Sequence, residues 1–502
     1  MYNGGWMKKE RLSVEERDFF RTVYHAAFAN PFSELRDKLD LKIAGHFPGL
    51  TKSESKDVYI REIDMRIKRL EKEGRGHLDS FSGQDRTIIK AVFLFDLFYK
   101  FRERFDLLIK DQIRAGDESV LVLFADEAIE MTRKRGIPEE SLLHYFAFSY
   151  QLRRAFFFIS HSLVGNSQCM KTLRRNLWNN VFTNNIDLYD RYLWNRMEDF
   201  STLILGETGT GKGTAAMAIG RSGYIPFDPV KGRFSVSFTR AFSPLNLSQF
   251  PEALLESELF GHKKGSFTGA VDDYQGVFDR CSPHGSILLD EIGEVPDHVQ
   301  IKLLQVLQER SFTPVGSHLK ARFQGRVIAA TNRSVSAIQG GEVFRDDFYY
   351  RLCSDIIQVP PLRERISQDP SELDDLLEFT VQRMTGTSSG EFTTRVKRVI
   401  NRELGPDYLW PGNVRELEQC VRRVLLRQSY EGRKPAGKMD IGEKLFNGIK
   451  KGEIEVSSLI SDYCTLLYQK HKTYEKVAKI TGLDRRTVKK YIDGFKDNGD
   501  NR

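Results

Sequence analysis

Cysteine is scarce in this 502-residue chain, and the five present (Cys169, Cys281, Cys353, Cys420 and Cys464) are scattered and never in CxxC spacing. That pattern excludes a disulfide framework and a cysteine zinc site, and it fits a reducing cytoplasm. Long hydrophobic runs are also missing. No stretch approaches the ~20 apolar residues that span a bilayer, so no membrane association is expected. The opening segment MYNGGWMKKERLS has no apolar run after its basic residues and does not read as a signal peptide. The ten histidines are dispersed; His25, His46, His77 and His144 read as surface or core residues, not metal ligands. Neither charge sign dominates: the formal net charge is +7, which matters only where it clusters. No internal repeat is visible.

What is present changes texture along the chain. Residues 1–162 read as helical. Ile60, Ile63, Ile67 and Leu70 recur at helical spacing between charges, and two Phe-rich stretches, AVFLFDLFYKFRERFDLLI and YFAFSYQLRRAFFFIS, have the length of buried helices. VLVLF at 120–124 fits a short strand or part of a helix. The strand–helix alternation of a phosphate-accepting receiver domain is missing. From residue 163 to 361, short apolar runs ending in polar residues alternate with helical patterns, which implies a parallel, helix-covered sheet. Such sheets bind ligands at the C-terminal ends of their strands. Residues 362–430 read as helical, 431–454 as a polar linker, and 455–502 as helical and locally basic.

The apolar TLIL runs into GETGTGKG, which matches G-x-x-x-x-G-K. Gly206, Glu207, Thr208, Gly209, Thr210, Gly211, Lys212, Gly213 and Thr214 form a candidate phosphate cradle. Its glycines let backbone N–H groups turn toward a phosphate, and Lys212 reaches the β- and γ-phosphates. Gly213 stands where Ser or Thr is usual, and Thr214 comes one residue late for Mg²⁺. ILLDE ends in Asp290, suited to Mg²⁺, and Glu291, suited to polarising water; alone, the pair also fits a solvated acidic turn. AATNR places Asn332 at a strand end, as a γ-phosphate sensor or a helix cap. Arg345 and Arg351 in FRDDFYYRL fit charge stabilisation in phosphoryl transfer, or surface salt bridges. WPGNVREL starts a helix carrying Arg415.

Taken in order over roughly residues 163–430, these segments together with LLESELFGHKKGSFTGA, LLDEIGEVPDHVQIKLLQVLQER and FRDDFYYRLCSDIIQVPPLRER resemble one family closely. It is the sigma-54-dependent transcriptional activators, bacterial enhancer-binding proteins of the nitrogen regulatory protein C type. The resemblance implies an α/β AAA+ P-loop ATPase core with an α-helical lid. It also implies a homo-oligomeric ring, commonly a hexamer, with ATP between subunits. By motif, Lys212 carries over as the phosphate-binding lysine, and Asp290 and Glu291 as the magnesium and hydrolytic pair. Asn332 carries over as the sensor, Arg345 and Arg351 as fingers offered to the neighbouring subunit, and Arg415 as the second sensor. Asn246 matches a position that holds the catalytic glutamate in check. Gly265, Ser266, Phe267, Thr268, Gly269 and Ala270 resemble the sigma-contacting motif GAFTGA, with Ser for Ala. The resemblance places Phe267 and Thr268 at the exposed tip of a loop that engages sigma-54 on its RNA polymerase holoenzyme.

TYEKVAKITGLDRRTVKKYIDGF reads as helix, turn, helix, with Gly482 at the turn and Asp484 as N-cap. Ala478, Ile480, Leu483, Val488 and Ile492 would form its core. Arg485, Arg486, Thr487, Lys489 and Lys490 would face upstream double-stranded DNA, as in the Fis-type domain it resembles; the alternative is a solvated basic helix pair. The N-terminal region matches no named sensor class and is expected to hold the ring inactive until an unknown ligand or protein binds. NNVFTNNIDLYDRYLWNRMEDF looks like an insertion packing on the ring or on that region. Two other functions fit less well. A AAA+-fold repressor or adaptor would lack Phe267-Thr268-Gly269, and a chelatase or helicase loader would need no helix-turn-helix.

Overall fold

Five parallel strands build the centre: β1 (Thr202–Leu205), β2 (Phe242–Asn246), β3 (Ser286–Asp290), β4 (Arg326–Thr331) and β5 (Asp355–Gln358), in the order β2-β3-β4-β1-β5. The computed structural model describes residues 11–45, 52–387, 389–432 and 454–497, with positions 445, 449 and 452; most of the expected linker 431–454 lies outside them. The register sets Thr202 opposite Ile328 and Asp355, and Asn246 opposite Asp290. Strand side chains alternate between two apolar layers. Ile204, Leu288, Ile328 and Ala330 face one, and Leu203, Leu205, Leu289, Val327 and Ala329 face the other. Both faces are covered, which is why these strands read as continuous apolar runs.

The N-terminal region is helical as expected, from Val14–Phe28 to Glu139–Ser162. Ser13 opens the first helix with a capping box to Glu16. The boundary expected at residue 162 is not a break in packing. One buried cluster runs from Leu12 through the helical region to Ala215, Ala216, Ala218 and Ile219 and on to Val359. The Lys212–Gly220 helix, rich in Ala, lies against both β3 and the Glu139–Ser162 helix, where small side chains permit close approach. VLVLF is neither strand nor helix. Leu121 makes a single bridge to Arg233, the Val122 N–H donates to Gly232 O at 2.9 Å beside the hairpin Phe227–Asp228/Arg233–Phe234, and Leu123–Phe124 turn into the next helix. Tyr150 stacks on Phe234 at 4.2 Å, and Phe146 meets Phe227 edge-on at 5.0 Å. The segment expected to pack on the ring or on the N-terminal region touches both. Tyr189 is bonded by Gln151 Nε2 at 2.7 Å, and the Trp194 ring lies 4.8 Å from His144 and 4.6 Å from Tyr224.

Beyond β5 come the lid helices Leu362–Gln368, Ser371–Thr385, Gly390–Glu403 and Asn413–Arg427. Residues 1–429 make one compact unit and 430–502 a second. The second unit packs Val456–His471, Tyr474–Thr481 and Arg485–Asp497 around Cys464, Leu467, Val477, Val488 and Ile492. Ile480 was expected in this core and is 46% exposed; Val477 takes its place. Among the described residues no helix is long and apolar enough to cross a membrane.

Candidate functional site

The phosphate loop leaves β1 and enters the Lys212–Gly220 helix through two left-handed residues, Gly209 (φ 81°) and Gly211 (φ 103°). Gly209 cannot be replaced simply, because a Cβ there would lie 2.4 Å from Gly412 O. Lys212 is almost fully buried, and its amine donates to Gly206 O at 2.9 Å and Glu207 O at 3.3 Å. Burial pushes its pKa down, opposed by the nearby Glu291 and Asp290 carboxylates. Its charge thus sits among loop carbonyls at a helix N-terminus, and a Cβ on Gly211 or Gly213 would project into open space. A buried cation, a positive helix end and open volume fit a polyphosphate, with Asp290 and Glu291 alongside for a divalent cation.

Asp290 ends β3. Glu291 follows in the left-handed region (φ 57°), and its N–H donates to Asp290 Oδ1 at 3.1 Å. That conformation is uncommon for a non-glycine residue and marks functional positions. Asn332 follows β4, with Nδ2 3.4 Å from Thr208 Oγ1 on the phosphate loop. Asn246 stands beside Asp290 in the sheet, but its Oδ1 accepts from Ser248 N at 3.1 Å and Ser248 Oγ at 2.8 Å. No hydrogen bond joins it to Glu291 among the described residues.

The lid grips the loop through residues the sequence reading passed over. Asn413, fully buried and left-handed (φ 52°), donates to Thr208 O at 3.1 Å and Glu207 Oε2 at 3.2 Å, and accepts from Leu362 N at 2.8 Å. Arg363 forms a two-pronged ion pair with Glu207 and, with Asn413, holds that carboxyl below its ordinary pKa. Arg415 N donates to Gly209 O at 3.3 Å, and its charge is felt at Lys212. The only available signal was the Asn in WPGNVREL, which reads as a plain helix start.

Arg345 caps the Asp346–Leu352 helix and pairs with Asp347 at 3.0 Å, which raises its pKa. Arg351 ends the same helix, is exposed, and donates through Nε to Leu307 O at 3.1 Å. Neither bonds this chain's own phosphate loop among the described residues.

The 261–270 loop follows the Glu252–Phe260 helix and is closed by Gly265 N to Ala270 O at 2.8 Å and Ala270 N to Phe267 O at 3.0 Å. Thr268 and Gly269 are exposed, while Ala270 is buried. Phe267 was expected at an exposed tip; it is half-buried, edge-on to His262 at 4.9 Å. Apolar area that would otherwise meet water is covered by the nearest ring. Ser266 Oγ is buried without a hydrogen-bond partner, and the residue lies against Gly316.

In the C-terminal unit, Gly482 (φ 72°) ends one helix and Asp484 caps the next, accepting from Arg486 N at 2.9 Å and Thr487 N at 3.1 Å. Arg486, Lys489 and Lys490 are exposed and Thr487 half-buried; Arg485 is exposed and pairs with Glu475 at 3.0 Å.

The sigma-54 interaction domain family matches residues 184–358. The Nif-specific regulatory protein of Azotobacter vinelandii is 43% identical over 44% of this chain and 39% of its own length. The regulatory protein AtoC of Escherichia coli is 36% identical over 50% of this chain and 51% of its own length. A crystal structure of NtrX from Brucella abortus aligns with 74% of this chain and 79% of its own at 20% identity, with a TM-score of 0.39. The chain spans about half or less of the length of these curated relatives. The matched domain is an AAA+ ATPase module, and the ordered motifs and sheet order agree with it. This central domain is a sigma-54 interaction domain, the part that the chain shares with these regulatory proteins.

Proposed function

We propose that the chain is an ATP-driven activator that binds DNA upstream of promoters and remodels the closed complex of sigma-54 RNA polymerase. Lys212 and the loop N–H groups would hold the ATP phosphates. Asp290 would hold Mg²⁺, which when bound neutralises phosphate charge. Glu291 would take the proton of the attacking water, and Asn332 would orient that water. Arg345 and Arg351, unused by their own phosphate loop, would serve the next subunit of a ring, and Arg415 would report the nucleotide to the lid. The exposed residues Arg485, Arg486, Lys489 and Lys490, with Thr487, would meet DNA bases and phosphates.

One observation carries the reading. Asn246 pairs in register with Asp290, and the chain from Asn246 runs through the Glu252–Phe260 helix directly into the loop bearing Phe267 and Thr268. A change at the nucleotide carboxylates therefore has a short path, along one strand end and one helix, to Gly265–Ala270. The direct test is Thr268→Ala. ATP hydrolysis should stay within about twofold, whereas open-promoter formation with sigma-54 polymerase should be lost. Undiminished open-complex formation would remove the reading.

A further inference from the structure

Resting on the view that the N-terminal helices regulate the ATPase, the geometry points to a binding site for a small, largely apolar molecule bearing one anionic group, inside that helical region. A cavity of about 220 Å³ lies between the Val14–Phe28, Gly83–Lys100, Glu139–Ser162 and Gln168–Phe182 helices. Phe28, Leu94, Phe95, Leu152, Phe156 and Trp178 line it. An apolar cavity of about 150 Å³ suffices for benzene, so this one takes a single ring or a short chain plus a polar head.

The charges on its wall select the head. Four cations line the cavity: Arg36, Lys90, Arg153 and Arg191. Three are already neutralised. Arg36 pairs with Asp40 at 2.7 Å, Arg153 with Asp106, and Arg191 with Asp187 at 2.8 Å. The remaining wall carboxylate, Asp190, is 2.7 Å from His144 Nε2. Among the described residues Lys90 is the one cavity cation that forms no direct ion pair, although the Asp190 and Asp187 carboxylates lie near enough to favour its charge. Its amine donates to Tyr145 Oη at 2.6 Å, and burial pushes its pKa down. A carboxylate entering here would meet a partly desolvated ammonium, with Asp190 and Asp187, held by His144 and Arg191, as its competitors for that charge.

The cavity also touches the machinery. Its Asp190 reaches through His144 to Tyr224 Oη, 3.3 Å from His144 Nδ1, just beyond the phosphate-loop helix. The same Glu139–Ser162 helix supplies Gln151, which donates to Ser222 O at 3.0 Å. A ligand wedged against this helix would therefore bear on the far end of the helix that starts at Lys212.

The test is calorimetric titration of the full chain, without nucleotide or DNA, using benzoate and hexanoate and their neutral counterparts benzyl alcohol and 1-hexanol. We expect one acid to bind with one-to-one stoichiometry, about tenfold or more tighter than its alcohol. Lys90→Met should erase that preference. Leu94→Trp, which fills the cavity, should abolish binding while the helical circular dichroism is retained. The winning acid distinguishes an aromatic from an aliphatic effector. Absence of saturable binding by both acids at millimolar concentration, an acid preference that survives Lys90→Met, or binding that survives Leu94→Trp would each overturn the site. Because no ATP or sigma-54 enters the assay, its failure is separate from failure of the activator reading.

Discussion

Arg154 of the N-terminal helices donates through Nη2 to Gly223 O at 2.7 Å, and through Nη1 to Arg221 O at 2.8 Å. These carbonyls follow the end of the Lys212–Gly220 helix, so a guanidinium from one region caps the helix whose other end carries the candidate phosphate cradle. Burial pushes its pKa down to about 10, so its charge is held at a cost that the two carbonyls offset.

Arg154→Met should leave both partly buried carbonyls without this donor, at about 1–3 kcal/mol each. We expect a loss of roughly 3 kcal/mol in denaturant unfolding, with ATPase activity altered although the residue lies outside the nucleotide motifs. An unchanged midpoint would show that the cap is dispensable.

Asn413 separates backbone from side chain. Asn413→Gly keeps the left-handed conformation but loses the bonds to Thr208, Glu207 and Leu362, whereas Asn413→Ala also strains the backbone. Both should weaken ATP binding about tenfold. Ala should be less stable than Gly by about 1 kcal/mol. Equal stability of the two variants in thermal melts would argue against the strain.

Ser266→Ala removes a buried hydroxyl that has no partner. Stability should be unchanged or rise by up to about 1 kcal/mol. A clear loss in differential scanning calorimetry would mean that the hydroxyl is used.

Glu372 and Arg365 form a buried pair at 2.7 Å, and Glu372 also accepts from Ser167 N at 2.6 Å, tying the start of the ATPase core to the lid. Burial alone would raise the Glu372 pKa; the Ser167 and Arg365 hydrogen bonds outweigh it and hold it low. A depressed carboxylate contributes stability above its unfolded pKa of about 4.3, lost as pH falls through the folded value. Glu372→Gln should cost about 3 kcal/mol at pH 7 by leaving Arg365 uncompensated, and the difference should shrink below about pH 4. A pH-independent difference in urea titrations would contradict this.

Arg351→Ala and Glu291→Gln should each abolish hydrolysis alone. Mixed together, they should recover part of it, because some junctions would pair an intact finger with an intact carboxylate. No recovery at any mixing ratio would place both residues in one subunit's site.

The strand-end placement of the candidate nucleotide residues was legible. GETGTGKG, ILLDE and AATNR each sit at a strand end, because in a parallel sheet both the apolar run and its polar terminus are local features. The lid clamp was not legible. Asn413 and Arg363 are 206 and 156 residues from Glu207, and no local spacing announces such pairs. Ile480 was misplaced for a related reason: helical periodicity names a face, and the packing of Val456–His471 decided that Val477 points inward.

The order and type of elements, the phosphate-loop chemistry and the aromatic character of the N-terminal helices were set by local pattern, through side-chain period and glycine freedom. Tertiary structure alone decided that those helices share one core with the central sheet, that Phe267 folds onto His262, and that Lys90 lines a cavity without forming a direct ion pair. Each of these is an outcome of which distant groups meet, and burial fixes that only once the whole chain has packed.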